Sequence, residues 1–267
     1  MLRSLRKRFA DVGLILNGAK CKVQTTAFHH GAALKIDRDF HIPIISAWDG
    51  FKILGTQFTL FGRTAVELDA RIQMAWGRFH KIWPLLRQTS SSLRKSLLIF
   101  RSDVVQSLLW CCESWTLTVA ECKRLQAVER SMLRKFLGPR RQSGEDYLDW
   151  IVHATRAVEA IMADMDMLPA VHLCLQRKWI WAGCIARYPA QRWIRRVTSW
   201  RDSRWWREHE HNHLTPSRFG RTHWHRWEDS LRKFADERGW SSWQSMASEM
   251  DAADWDNMAS TFSDFCF

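Results

Sequence analysis

Lys20 stands three residues after Asn17 in the run Gly13-Leu14-Ile15-Leu16-Asn17-Gly18-Ala19-Lys20-Cys21-Lys22. A flexible ammonium beside a turn can approach a leaving phosphate as a point charge or proton donor. A solvated surface charge has the same local sequence. A broader basic set, Arg71, Arg78 and Lys81, falls opposite an aromatic stripe and is joined by Arg94, Lys95 and Arg101. Arginines interleaved with aromatics neutralise phosphates and stack on bases, so this set forms a track for a phosphodiester backbone. Ordinary solvated helix faces share the pattern, but the density rises again from Arg177 to Arg207, where eight arginines and Lys178 meet one acid, Asp202.

Other chemistries find less support. His209, His211, His213, His223 and His225 alternate along a polar loop, with Cys174 and Cys184 as distant soft ligands. Structural zinc sites bring their ligands in tight pairs, and this spread implies no metal site. Two-metal nucleotidyl transfer needs convergent carboxylates. The neighbouring acids are Asp37 and Asp39, on an exposed turn, and Glu145-Asp146, in a polar linker. Nucleophile-elbow, phosphate-loop and dinucleotide motifs are absent.

The charge balance agrees with a polyanion partner. Forty Lys and Arg against 28 Asp and Glu give a net charge of +12 over 267 residues, which favours nucleic acid through counterion release. No apolar run approaches the roughly 18 residues of a membrane span, so no membrane partner is expected. Seven cysteines without regular spacing point to a reducing, intracellular setting, nuclear or cytoplasmic.

These residues must be positioned by local elements. Helical spacing places a basic helix over 2–12, stopped at Gly13. Leu14 to Leu16 read as a short strand nucleus and Cys21 to Thr26 as another. Leu34 to Ile36 and His41 to Ile45 suggest a hairpin whose second arm is an edge strand because of Pro43. Phe51 to Phe58 reads as one strand. Helices follow: Thr64 to Trp83, extending past Pro84, opens on a Thr64/Glu67 capping box, and Thr118/Glu121 opens another that Gly138-Pro139 ends. Helices are also expected over 93–109, 147–163, 168–187, 224–238, 242–250 and 252–262. The expected fold class is α+β, predominantly α-helical, with a small antiparallel sheet.

The order of these segments resembles non-LTR, LINE-type retrotransposon reverse transcriptases. The run from Gly13 to Lys22 resembles the motif after their catalytic hairpin, where glycine-leucine precedes an asparagine and a lysine. Phe51-Lys52-Ile53-Leu54-Gly55 is similar to their primer grip, with Ile53 where tyrosine is common. Arg71-Ile72 and the helix after them resemble the first thumb helix. Leu108-Leu109-Trp110-Cys111-Cys112-Glu113-Ser114-Trp115 resembles a segment reading leucine-leucine-tyrosine-glycine-x-glutamate-x-tryptophan, and the likeness continues through Leu125, Glu129, Leu133 and Arg134. Trp181-Ala182-Gly183-Cys184-Ile185-Ala186-Arg187 is similar to a tryptophan-x-glycine-histidine-hydrophobic-x-arginine element, with Cys184 replacing histidine. Gly220-Arg221, Trp227 to Leu231 and Trp240 to Trp255 resemble the last conserved block, with Thr222 where proline is usual.

The resemblance implies a palm end over 1–62, a thumb over 63–139 and an Arg/Trp-rich post-thumb region over 140–267. It makes Lys20 an auxiliary to pyrophosphate departure and Phe51, Lys52, Ile53, Leu54 and Gly55 the primer grip. Lys22, Arg71, Arg78, Lys81, Arg94, Lys95 and Arg101 would contact an RNA/DNA duplex. Mg²⁺ is implied for the complete family enzyme, and by the resemblance the paired aspartates that bind it would lie upstream of Met1. This chain is thus expected to carry no cofactor and to be inactive alone, a duplex-binding fragment of an RNA-directed DNA polymerase. The alternative is a non-catalytic helical module that binds nucleic acid or protein.

Overall fold

The computed structural model describes residues 2–25, 33–38, 40–46, 50–58, 64–87, 92–198 and 227–267. Their backbone forms two compact units, Met1–Ala70 and Arg71–Phe267. Expectations for His209, His211, His213, His223 and His225, for Asp39, Asp202, Gly220-Arg221 and Thr222, and for the stretch 199–207 lie outside the described residues.

In the first unit the basic amphipathic run becomes α1, Leu2–Asp11, and Gly13, at φ +77°, ends it in a conformation that glycine adopts without a Cβ penalty. Strands β1 (Val23–Gln24), β2 (Ala33–Asp37) and β3 (Phe40–Ile45) form a mixed sheet in the order β1-β3-β2. The β2–β3 hairpin is as expected, with Leu34 opposite Ile42. β3, however, is the central strand. β1 runs parallel to it at Val23↔Ile44 and Gln24↔Ile45, whereas β2 pairs with Phe40 to Pro43. Pro43 therefore sits where one ladder gives way to the other, a position that tolerates its missing N–H.

Ile36, Phe40 and Ile42 are the core of this sheet, with Leu2, Leu16, Cys21, Val23 and Leu34 packed around them. α1 is tied down by Arg3 Nε donating to Ile36 O at 2.8 Å and by Arg6 pairing with Asp37 at 2.7 Å. Leu14 to Leu16 do not form the strand their composition suggests. They have no ladder partner among the described residues, and Ile15 is 94% exposed.

The expected single strand over 51–58 is instead a hairpin of β4 (Phe51–Ile53) and β5 (Thr56–Phe58), with Phe51 opposite Phe58. Leu54 and Gly55 have φ of +49° and +91°, which gives the two-residue turn whose twist matches the flanking strands. The Gln57 N–H donates to buried Glu67, in the first turn of α2 (Thr64–Leu86), and so docks the hairpin on that helix. Helix α2 continues through Pro84 as expected.

In the second unit, α3 (Leu93–Ile99), a π-helical turn (Phe100–Val105) and α4 (Gln106–Leu108) follow one another as one helical stretch. The extra residue of the π turn buries Phe100, Val104 and Val105 together. Phe100 meets Phe79 of α2 and Phe136 of α5 (Val119–Leu137). The Thr118/Glu121 capping box is present: Thr118 Oγ1 accepts the Glu121 N–H at 3.3 Å, and Glu121 Oε2 accepts the Thr118 N–H at 2.7 Å.

Helix α6 (Tyr147–Asp164) is capped by Asp146 and bridged to α5 by Arg134 donating to Thr155 Oγ1 at 3.0 Å. The interior of this unit is α7 (Ala170–Arg187), around which α9 (Asp229–Asp236), α10 (Trp243–Glu249), α11 (Ala252–Asn257) and α12 (Ala259–Cys266) pack; α8 (Trp193–Thr198) follows α7 directly. The single helix expected over 252–262 is thus two, broken at Met258. The α7 packing explains the glycine of the tryptophan-x-glycine pattern. Trp179 and Trp255 stack at 3.8 Å and 7°, and each indole N–H donates to the other's carbonyl, at 2.6 and 3.0 Å. A Cβ on Gly183 would lie 2.4 Å from Trp255 Nε1, so only glycine admits this approach.

Candidate nucleic-acid interface

In the first unit the candidate residues occupy two exposed places. Gly18–Lys20 is a single 3₁₀ turn, and Asn17 caps it by accepting the Lys20 N–H on Oδ1 at 3.3 Å. Asn17 thereby fixes the point from which the exposed Lys20 side chain leaves the backbone. Gly18 lies against the Phe40 ring, where a Cβ would come within 2.9 Å of Cε2. The asparagine–lysine spacing is therefore a device for holding a lysine beside the sheet core. Lys22 is exposed just before β1.

The second place is the Phe51–Phe58 hairpin. The Phe51 and Phe58 rings meet across the strands at 6.2 Å and 37°, while Leu54 at the turn is 91% exposed. A β-hairpin turn with φ > 0 at both positions ordinarily carries asparagine or glycine. A γ-branched apolar residue there is a local cost of about 1 kcal/mol that the hairpin itself does not require.

In the second unit the structure divides the expected basic track. Arg78, Lys81, Arg94 and Lys95 are exposed, with Arg78 3.7 Å from Asp103. Arg101 is half-buried in the π turn. Arg71 is not on the exposed face. It is 3% exposed, and its Nη1 lies 3.8 Å from Met74 Sδ. The reason is helical phase: Arg71 falls three residues after Leu68 and four before Ala75, both fully buried, so it belongs to the inward stripe.

The Arg/Trp-rich segment also changes meaning. Arg177 donates to Gln106 Oε1 at 2.5 Å, Arg195 donates to Tyr188 O at 2.6 Å, and Trp179 is core. These residues hold the unit together. Within the described residues the exposed part comprises Arg187, Arg192, Trp193 and Arg196, with the Arg196 guanidinium 4.6 Å from the Trp193 ring centre.

Glu129 and Lys178, to which the sequence motifs assign no site role, are also buried charges of this unit. Glu129 accepts the Ala170 N–H at 2.8 Å at the start of α7, and burial raises its carboxyl to about 7, against the lowering influence of that bond and of Arg130 and Arg101. Lys178 donates to Ser230 Oγ at 3.1 Å, and burial pushes its amine below the ordinary lysine value. The available signal was position: each is a charge on an otherwise apolar helical stripe, Cys122-Leu125-Glu129-Met132 and Cys174-Leu175-Lys178-Ala182.

The described residues do not fit the Mg²⁺ that the resemblance implies for the complete enzyme. They contain no group of three or more His, Cys, Asp or Glu able to hold a metal ion, and Asp37 is engaged by Arg3 and Arg6. Nor is any described helix long and apolar enough to cross a membrane.

No family model matches the chain, and no solved structure matches it. It is 26% identical over 238 residues to an uncharacterized transposon-derived protein of Caenorhabditis elegans, a match that covers 87% of this chain and 77% of that protein. At that identity over most of both chains, the two are distant homologues.

Proposed function

We propose that this chain is a non-catalytic nucleic-acid-binding module of retroelement descent, corresponding to the palm end, thumb and post-thumb region of a LINE-type reverse transcriptase. The observation that carries the reading is the Phe51–Phe58 hairpin, which raises Leu54 into solvent on a strained two-residue turn, in the stretch whose sequence resembles the primer grip. Two further features support it. Cys111, standing where the resemblance calls for glycine, has φ +57°, a conformation that glycine adopts freely and a cysteine adopts at a cost. The likeness to a transposon-derived protein extends over most of the chain.

On this reading Lys20, Lys22 and the hairpin residues Phe51 to Gly55 face the end of a primer strand. Arg78, Lys81, Arg94, Lys95 and Arg101 meet duplex phosphates, and Arg71 acts from inside α2. The chemistry of extension belongs to carboxylates that the described residues do not provide, so purified chain with Mg²⁺ leaves a primer unextended.

The test is binding of an RNA/DNA duplex across a range of salt concentrations. Affinity falls steeply with salt, and Arg78→Ala with Arg94→Ala lowers the slope of log affinity against log salt by about one for each phosphate no longer neutralised. Undetectable or salt-insensitive binding would overturn the proposal in favour of a protein-interaction module.

A further inference from the structure

The larger unit contains a cavity of about 710 Å³ that duplex binding leaves unused. It lies among α5, α7, α9 and α12, and its apolar wall includes Trp115, Leu117, Leu175 and Phe265. That volume is in the range of small-molecule sites, about 300–1,000 Å³. Lys178 lines it while being only 6% exposed. Its ammonium donates to the neutral Ser230 Oγ and lies 5.5 Å from the centre of the Trp227 ring, with no carboxylate of the described residues in ion-pair contact. Asp229 favours its charged form from beyond ion-pair distance, so the desolvation of this buried cation is only partly offset.

Trp115 lines the same cavity at 4% exposure, and its indole N–H is buried without an acceptor among the described residues. Lys123, Arg232 and Lys233 outnumber Asp229 and Asp236 around the cavity, which favours an anion. Burial raises the thiols of Cys122 and Cys266 to about 11, so both stay neutral near pH 7 and do not repel one.

We propose that this cavity binds a small carboxylate with an apolar body, an aryl or fatty acid, whose carboxylate pairs with Lys178 while the body lies against Trp115 and Phe265. One buried cation matches one negative charge. A phosphate dianion would bring a second charge into the same apolar space uncompensated.

Fluorescence titration of the full chain with dansyl-undecanoic acid and with its methyl ester tests this directly. The acid binds at a single site, and the ester binds at least about tenfold more weakly, the scale of one charge-assisted hydrogen bond. Lys178→Met, which keeps the apolar stem, produces a similar loss for the acid with an unchanged far-ultraviolet circular dichroism spectrum. Equal affinity for acid and ester in the unaltered chain would overturn the assignment whether or not the variant folds. A folded Lys178→Met chain that binds the acid as tightly as the original would overturn it too.

Discussion

The two compact units solve burial in opposite ways. The smaller one builds its sheet on Ile36, Phe40 and Ile42 and leaves Leu14, Ile15, Ile53, Leu54 and Phe58 exposed. The larger one encloses Trp179, Trp243, Trp255, Phe234 and Phe262 almost completely. Fully burying a large side chain is worth roughly 1.5–3 kcal/mol, so the larger unit holds enough of them to stand alone. The smaller one has a sheet of a few short strands and one hairpin, and much of its apolar surface faces solvent. Exposed apolar strand residues of this kind are the pattern expected of a surface that a partner covers.

The contrast breaks most severely if the aromatic centre is removed. Trp255→Ala deletes the partner of Trp179, removes the hydrogen bond its indole donates and leaves a void beside Gly183. Large aromatic-to-alanine changes in cores cost about 3–5 kcal/mol. Denaturant unfolding followed by circular dichroism at about 222 nm, the helical band, should show the transition moved to much lower denaturant. A shift of under about 1 kcal/mol would mean that the stacked pair is not the keystone of the larger unit.

A smaller, pH-dependent effect comes from Glu129. Its carboxyl is raised from 4.5 to about 7, so the folded chain keeps a proton that the unfolded chain has released. The stabilisation is fully present below about pH 4.5 and is lost as pH rises through about 7. At about 1.4 kcal/mol per pH unit the loss is on the order of 3 kcal/mol. Glu129→Gln retains an acceptor for the Ala170 N–H and carries no titrating group. Its melting temperature should vary less between about pH 5 and pH 8 than that of the unaltered chain; parallel pH profiles would assign the dependence elsewhere.

The helical body was largely readable because its signals are local. Thr118/Glu121 is a capping box by residue type alone, and the apolar spacing of α5 and α7 survives in the structure. What could not be read locally depends on partners. Leu14 to Leu16 have strand composition but no described strand beside them, and β3 became central only because the distant Val23–Gln24 pairs with it. The hairpin at 51–58 was written in Leu54-Gly55, yet leucine is a poor turn former and masked the signal that glycine carried. Among the candidate site residues, exposure of Arg78, Lys81, Arg94 and Lys95 followed from the apolar stripes around them, and that of Lys20 from the turn beside it. Arg71 did not, since a one-residue difference in phase moves a side chain about 100° around a helix.

The smallest effect separates a residue kept for folding from one kept for contact. Leu54 and Cys111 both have positive φ, +49° and +57°, one in each unit. Replacing either by a residue that favours this conformation, Leu54→Asn or Cys111→Gly, should stabilise its unit by up to about 1 kcal/mol. The two then diverge. Cys111 is only half exposed beside the buried 3₁₀ residue Cys112, so Cys111→Gly should leave duplex affinity unchanged. Leu54 presents its side chain to solvent at the hairpin tip, so Leu54→Asn should gain stability while losing affinity for a duplex with a recessed primer end, with no loss for a blunt duplex. Equal affinity for both duplexes in Leu54→Asn would reduce the exposed leucine to a tolerated turn residue, and the hairpin to a structural element of the smaller unit.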